Sequence, residues 1–165
     1  MRLVFVSLLL SLLVLVSPLY ARAEEVPAMP DGPIEVISQQ MEADQNSRQV
    51  VFTGDVVAKR GGMTVYAERL TLYFVEQDKE RRIERLEAEG GVRVVDGQRV
   101  ATGRHLDYFQ ADEKMILTGD AQIHQGENLV AGDEITLFLR DNRSLVKSGK
   151  DGRVRAVFLP QQEQQ

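Results

Sequence analysis

The chain has 165 residues, with 20 Lys plus Arg against 25 Asp plus Glu, a net charge of −5, no cysteine, no tryptophan and 6% aromatic residues. This balance argues against nucleic acid, whose phosphates demand a basic footprint, and leaves a sugar- or base-stacking platform little to build on. Without cysteine there is no disulfide framework, so apolar burial and strand pairing must hold the fold.

The amino terminus carries Arg2, an apolar run from Leu3 to Val16, then Ser17-Pro18-Leu19-Tyr20 and the small-x-small step Ala21-Arg22-Ala23. This is the layout of an export signal cleaved after Ala23, which implies a destination outside the cytoplasm. The rival is an uncleaved anchor, and Pro18 argues against it by breaking the helix just before the Ala-x-Ala step. Cleavage leaves 142 residues, one domain by length, and removes Arg2 and Arg22, moving the net charge from −5 to −7. Residues 24–33 hold Pro27, Pro30, Asp31-Gly32 and Pro33, an extended, turn-rich leader.

From Ile34 onward short runs alternate: Ile34, Val36; Val51, Thr53; Val56, Ala58; Met63, Val65, Ala67; Leu70, Leu72, Phe74. Period two in segments rich in Val, Thr, Tyr and Phe, punctuated by Gly-Gly, Asp-Gly or Asp-Asn, predicts strands. The whole is an all-β chain, an antiparallel sandwich, roll or open barrel. Over Glu76–Glu87 the residues also favour a short helix. We read a charged loop leading into a strand at Ile83–Leu86, which runs into a turn at Gly90-Gly91. A last strand spans Arg153–Leu159, stopped by Pro160, and residues 161–165 are expected to be disordered.

A repeat organises this pattern. Thr53-Gly54-Asp55 and Thr118-Gly119-Asp120 open segments that align at a constant offset of 65, with Leu70-Thr71-Leu72-Tyr73-Phe74 facing Ile135-Thr136-Leu137-Phe138-Leu139. A fainter copy at offset 36 places Gly90-Gly91-Val92 against Gly54-Asp55-Val56 and Leu106-Asp107-Tyr108 against Leu70-Thr71-Leu72. Units of roughly 30 to 36 residues cannot bury an apolar face alone and stack into one continuous sheet. The glycines are read as turns between its strands.

Catalytic chemistry finds no foothold. His105 and His124 read as surface or rim histidines with no metal-ligand spacing near them, and no nucleophile elbow, P-loop or dinucleotide fingerprint is present. Asp55, Asp120, Glu68 and Asp133 recur at matching repeat positions, as residues that each unit's geometry requires would, so they are given turn or solvent roles. No catalytic residue, metal or cofactor is expected.

The run Pro33-Ile34-Glu35-Val36, the block Val50–Phe74, Leu117-Thr118-Gly119-Asp120-Ala121, Gly132-Asp133-Glu134-Ile135-Thr136 and the closing Gly152–Pro160 together resemble the OstA-like family of lipopolysaccharide-export proteins. The resemblance covers nearly all of the chain after Ala23 and implies a twisted, incompletely closed antiparallel β-jelly roll whose apolar interior carries the acyl chains of lipopolysaccharide between the inner and outer membranes. It implies three kinds of partner besides the lipid: an LptC-like inner-membrane protein at the N-terminal edge strand Ile34–Val36, an LptD-like outer-membrane translocon at the C-terminal edge, and further copies of the chain. Tyr108 matches a lumen-facing aromatic of the family, and Val92 and Val94 fall about where another interior aromatic sits. The short carboxyl tail departs from longer family tails.

Alternation supplies a lining for such an interior: Ile34, Val36, Phe52, Val56, Ala58, Val65, Leu70, Leu72, Leu106, Tyr108, Ile123, Ile135 and Leu137, a continuous apolar wall from rim to rim. A roll that does not close keeps two strand edges, here Ile34, Glu35, Val36 and Ile37 at one end and Val154, Arg155, Ala156, Val157 and Phe158 at the other. Unlike edges pair head to tail without closing, which predicts an oligomer. The competing readings are an LptC-like component that keeps its anchor, and a structural adaptor of the envelope that carries no lipid.

Overall fold

The computed structural model describes residues 32–44, 46–141, 143–149 and 152–159. The signal segment, nearly all of the leader, Pro160 and the 161–165 tail lie outside the described residues. Ten strands follow in order: β1 (Glu35–Ile37), β2 (Gln40–Asp44), β3 (Gln49–Arg60), β4 (Met63–Gln77), β5 (Glu80–Asp96), β6 (Arg99–Phe109), β7 (Lys114–Gln125), β8 (Asn128–Phe138), β9 (Arg143–Lys147) and β10 (Arg155–Val157). They form one antiparallel sheet in the order β1-β3-β4-β5-β6-β7-β8-β10, with β2 beside β3 and β9 beside β8. The two ends of this order do not pair, so the sheet is open.

The hairpins β3–β4, β5–β6 and β7–β8 are the three repeat copies. Tight two-residue loops at Gly61-Gly62, Asp78-Lys79, Gly97-Gln98 and Gly126-Glu127 join consecutive long strands. The first loop residue is left-handed each time, with φ between 54° and 59°, the twist-matched hairpin geometry that glycine and aspartate tolerate. The expected strand at Ile83–Leu86 is present, but the charged loop expected before it is corrected: β4 runs to Gln77, turns in two residues and returns as β5 from Glu80. Phe74 pairs with Ile83, and both pack against the core, which holds this charged hairpin in register.

The repeated glycines also differ from expectation. Gly54-Asp55, Gly90-Gly91 and Gly119-Asp120 are not turns between strands but bulges inside β3, β5 and β7. Both residues of each pair have positive φ: 81° and 46°, 81° and 57°, 79° and 54°. At each bulge the odd strand spends one more residue than its neighbour. Thr53 to Val56 faces Arg69 to Ala67, and Thr118 to Ala121 faces Glu134 to Gly132. Such bulges bend a strand and sharpen its twist, and here they stand side by side across the sheet as a single crease. The even strands answer with a phase slip, in which Ala67 and Leu70 are both buried while Glu68 and Arg69 between them are exposed.

On either side of the crease the inward positions form rungs that run from edge to edge. One passes through Phe52, Leu70, Ala88, Leu106, Leu117 and Ile135 to Val146 on β9. The other passes from Val36 on β1 through Ala58, Val65, Val94, Ala101, Ile123 and Val130 to Ala156 on β10. Residues of both rungs belong to one hydrophobic cluster, so the crease folds the sheet's two halves onto a shared core.

Each outer edge breaks at the same crease. Between β1 and β2 the Gln39 N–H donates to the Gly54 carbonyl at 3.0 Å. Between β9 and β10 the Gly149 N–H donates to the Asp133 carboxylate. The terminal strand is shorter than expected, Arg155–Val157 rather than Arg153–Leu159.

The crease makes a testable distinction between adjacent glycines. Gly90→Ala places a side chain at φ +81° and is expected to cost about 1–2 kcal/mol in urea unfolding. Gly91→Asp installs the residue found at the equivalent positions Asp55 and Asp120 at φ +57°, where nothing crowds a side chain, and is expected to cost less than the Gly90 change, under about 1 kcal/mol. Equal losses would contradict the equivalence of the three bulges.

Candidate functional site

The crease turns the sheet's apolar face inward, and the interior it makes is the candidate site. Val56, Ala58, Val65, Leu70, Leu72, Val92, Val94, Leu106, Tyr108 and Ile135 are buried in the core, and Val36, Phe52, Ile123 and Leu137 are half-buried against it. Ile34 is half-buried just before β1 and borders the end of that interior nearest β1. Alternation thus placed these residues on the inward side, but it missed Leu86, Ala88, Met115, Leu117, Ala121 and Leu139, all buried. The repeat carried the missing signal: an offset of 65 takes Phe52 to Leu117, Val56 to Ala121 and Phe74 to Leu139, and an offset of 36 takes Phe52 to Ala88.

The interior is wide at its two mouths and tight between them. The mouth beside β9 and β10 is a cavity of about 210 Å³ lined chiefly by Ile123, Val130, Leu137, Leu139, Val146 and Phe158. The mouth beside Ile34 holds about 690 Å³ over Phe74, Val75 and Ile83, with Arg60, Arg81, Arg82 and Gln110 around it. Between them a void of about 30 Å³, roughly one water's share of liquid volume, is bordered by Met63, Val94, Ala101, Met115, Leu137 and Leu139. The expected wall is continuous as a ladder of side chains but not as open space. Leu70, Leu106, Leu117 and Ile135, all on one rung, are fully buried within the core cluster shared with the other rung. Met63 and Met115 at the void are unbranched and rotate readily, so the constriction is built partly from adaptable side chains.

The outer face carries a polar cluster that the sequence did not reveal. Tyr73 Oη donates to Glu87 Oε2 at 2.7 Å, Arg85 Nη2 donates to the same oxygen at 3.1 Å, and Arg85 Nε donates to Asp107 Oδ1 at 2.9 Å. His105 is not a solitary rim histidine: its Nε2 lies 3.0 Å from Asp107 Oδ2, with Glu87 and Glu89 also beside the ring. Strand register assembles the group by placing Glu87 opposite Asp107 and Glu89 opposite His105. Glu87, Glu89 and His105 offer donor atoms within 4.8 Å of one another, the one such trio among the described residues. The Glu87 carboxylate there is already engaged by Tyr73 and Arg85.

Exposed apolar side chains gather at the sheet's edges. Ile37, Met41, Leu145, Val154, Phe158 and Leu159 lie on or beside β1, β2, β9 and β10, and Tyr66 is the one large exposed apolar residue elsewhere among the described residues. Of the expected edge residues, Glu35, Ile37, Val154, Arg155, Ala156 and Phe158 are exposed, Phe158 at 70%, and Ile34, Val36 and Val157 are half-buried.

Two tyrosines link the site to pH. The hydrogen bond to Glu87 raises the Tyr73 pKa above its ordinary 10.0, and burial does the same for Tyr108. A raised folded-state value means that the contribution to stability is intact below pH 10 and is lost as pH climbs through the folded pKa. Unfolding free energy is expected to fall above about pH 10, and the double variant Tyr73→Phe/Tyr108→Phe to flatten that alkaline limb. An unchanged limb in the double variant would place the loss elsewhere.

Comparison with known proteins agrees with this geometry. Residues 35–143 match the family described as LptA/(LptD N-terminal domain) LPS transport protein. The lipopolysaccharide export system protein LptA of Escherichia coli K12 is 28% identical, over 81% of this chain and 75% of that protein. Its Haemophilus influenzae Rd counterpart is 26% identical, over 81% of this chain and 80% of its own. Among solved structures, LptH, the LptA-homologous periplasmic component of the lipopolysaccharide transport device of Pseudomonas aeruginosa, superposes with a TM-score of 0.70 at 22% identity, over 81% of this chain and all of LptH, and so shares the fold. With an open, creased sheet and a family match spanning most of its strands, the chain belongs to the LptA/LptD N-terminal domain family of lipopolysaccharide transport proteins.

Proposed function

We propose that this protein is a non-enzymatic periplasmic carrier that shields the acyl chains of lipopolysaccharide while they pass from the inner to the outer membrane. The observation that carries this reading is the apolar interior with a mouth beside each unpaired edge of the sheet. Each buried methylene is worth roughly 0.8 kcal/mol, so one acyl chain of about a dozen carbons gains on the order of 10 kcal/mol by leaving water. That gain is available to offset the parting of a packed interior whose central void is only about 30 Å³. Lipid therefore enters by separating the sheet's two halves and replaces their mutual contacts with contacts to its chains.

The edges supply the rest of the reading. Unpaired backbone on β1 and β10, flanked by exposed apolar side chains, suits strand addition by partners with the same fold. An LptC-like protein at the Ile34–Ile37 edge, an LptD-like domain at the Val154–Phe158 edge and further copies between them would join mouth to mouth, so that successive interiors form one apolar path. Export with cleavage after Ala23 places the chain in that compartment, and sequencing of the protein from cells is expected to begin at Glu24.

Photo-crosslinkers test the lipid claim residue by residue. Probes at Ile123 and Leu137 on the inward face are expected to capture lipopolysaccharide, and a probe at exposed His124 is not. Capture that is equal at Ile123 and His124, or absent from every inward position while the edges capture protein partners, would favour a structural adaptor. For assembly, the mass measured by light scattering is expected to rise over a roughly hundredfold range of concentration, as head-to-tail pairing without closure demands. A constant monomer would remove self-assembly without touching lipid binding.

A further inference from the structure

Beyond the crease the inward face of β3 reads Val56, Ala58, Arg60, and the third of these is a cation where the pattern calls for an apolar side chain. Arg60 borders the N-terminal mouth, donating from Nη1 to Gln110 Oε1 at 3.3 Å, and its Nε is buried without a hydrogen-bond partner, the one such side-chain atom among the described residues. Tyr108 Oη donates to the same Gln110 oxygen at 3.3 Å, so the polar group abuts the core. A guanidinium in this position loses hydration that a neutral amide restores only in part.

The surroundings supply more positive charge. Arg81 and Arg82 border the same mouth, where Glu84 is the sole carboxylate. Arg82 is taken up by Glu80 at 2.9 Å. Arg81 lies over the Phe74 ring at 4.6 Å, a cation–π contact that leaves N–H groups to meet an anion. An adjoining cleft that shares Phe74, Val75 and Arg81 adds Arg48 and Lys79 against one further carboxylate, Glu76, which stands opposite Arg81 in the register, so cations still outnumber carboxylates over the two clefts. In a chain of net charge −5 this is a local reversal of sign, set over the apolar floor of Ile34, Phe74, Val75 and Ile83.

A cationic rim over an apolar floor fits an amphiphile with a compact anionic head, and planar guanidinium groups suit phosphate because they bind it through two parallel hydrogen bonds. We infer that the N-terminal mouth holds the phosphate-bearing head group of the carried lipid, with Arg60 and Arg81 as its anion contacts. This rests on the lipid-carrier reading and adds to it a polar station beside one mouth. Free phosphate fits less well, since a cavity of about 690 Å³ with an apolar floor far exceeds one anion.

Binding to the full mature protein is measured with lipopolysaccharide, with the same lipid after chemical dephosphorylation, and with inorganic phosphate alone. The wild type is expected to prefer the phosphorylated lipid by about tenfold or more. Arg60→Gln and Arg81→Gln are each expected to erase most of that preference while leaving affinity for the dephosphorylated lipid unchanged. Arg81 is exposed, so its variant remains informative if Arg60→Gln disturbs the fold. A preference retained in both variants, or an equal loss for both lipids, would overturn the head-group assignment. Saturable binding of inorganic phosphate that Arg60→Gln abolishes would reassign the site to a free anion and overturn it as well. Failure of the wild type to bind either lipid would instead sink the carrier reading on which the assignment rests.

Discussion

Everything in this molecule depends on a crease. Three pairs of left-handed residues, Gly54-Asp55, Gly90-Gly91 and Gly119-Asp120, stand abreast on alternate strands and bend the sheet along one line. Without them, strands of up to 17 residues would extend as a twisted sheet with a single apolar face open to water, and that face would have nothing of its own chain to cover it. The bend makes the two halves of the same strands cover each other. Burial is thus achieved by folding a layer rather than by stacking a second one, which explains how one open sheet sustains a core without disulfides.

Much of the architecture was legible in the sequence because alternation survives wherever one face is buried, as in Met63-Val65-Ala67 and Leu70-Leu72. The repeat was legible too, yet its meaning was not. A Gly-Asp pair with positive φ has the same composition at a hairpin turn as at a bulge, since both need the left-handed region. Only the partner strand, one residue shorter across that point, separates the two. The strand at Ile83–Leu86 was legible, but the stretch before it was misread as loop for a different reason: the exposed positions near the hairpin tip carry charge on both faces, so period two fades while pairing persists. Arg60 stands just before the Gly61 turn, and its parity with Val56 and Ala58 puts it on the inward side. The His105 cluster needed register, which a single strand's sequence does not carry.

The interior combines two demands that pull in opposite directions. A core that holds a chain together wants dense packing, as Leu70, Leu106, Leu117 and Ile135 provide. A passage for acyl chains, as proposed above, wants the same surfaces to separate. The structure distributes these demands along the roll, with the tight contact in the middle and open apolar mouths beside the edges. An unclosed sheet tolerates this because its halves are joined at the crease and lack strand pairing along the opposite rim, so they can part without breaking a backbone ladder.

The way each outer edge is split at the crease has a kinetic consequence. β1 and β10 hold on by three residue pairs each, while β2 and β9 hold the other half of the same edge by five. A strand that peels away three residues at a time opens far more often than one that must release the whole edge, because local opening scales with the contacts broken. An arriving strand therefore finds a toehold: it can displace the short segment while the longer one keeps the edge anchored, and then exchange out again without the roll coming apart. Junctions made this way would turn over quickly, which suits the head-to-tail assembly proposed above.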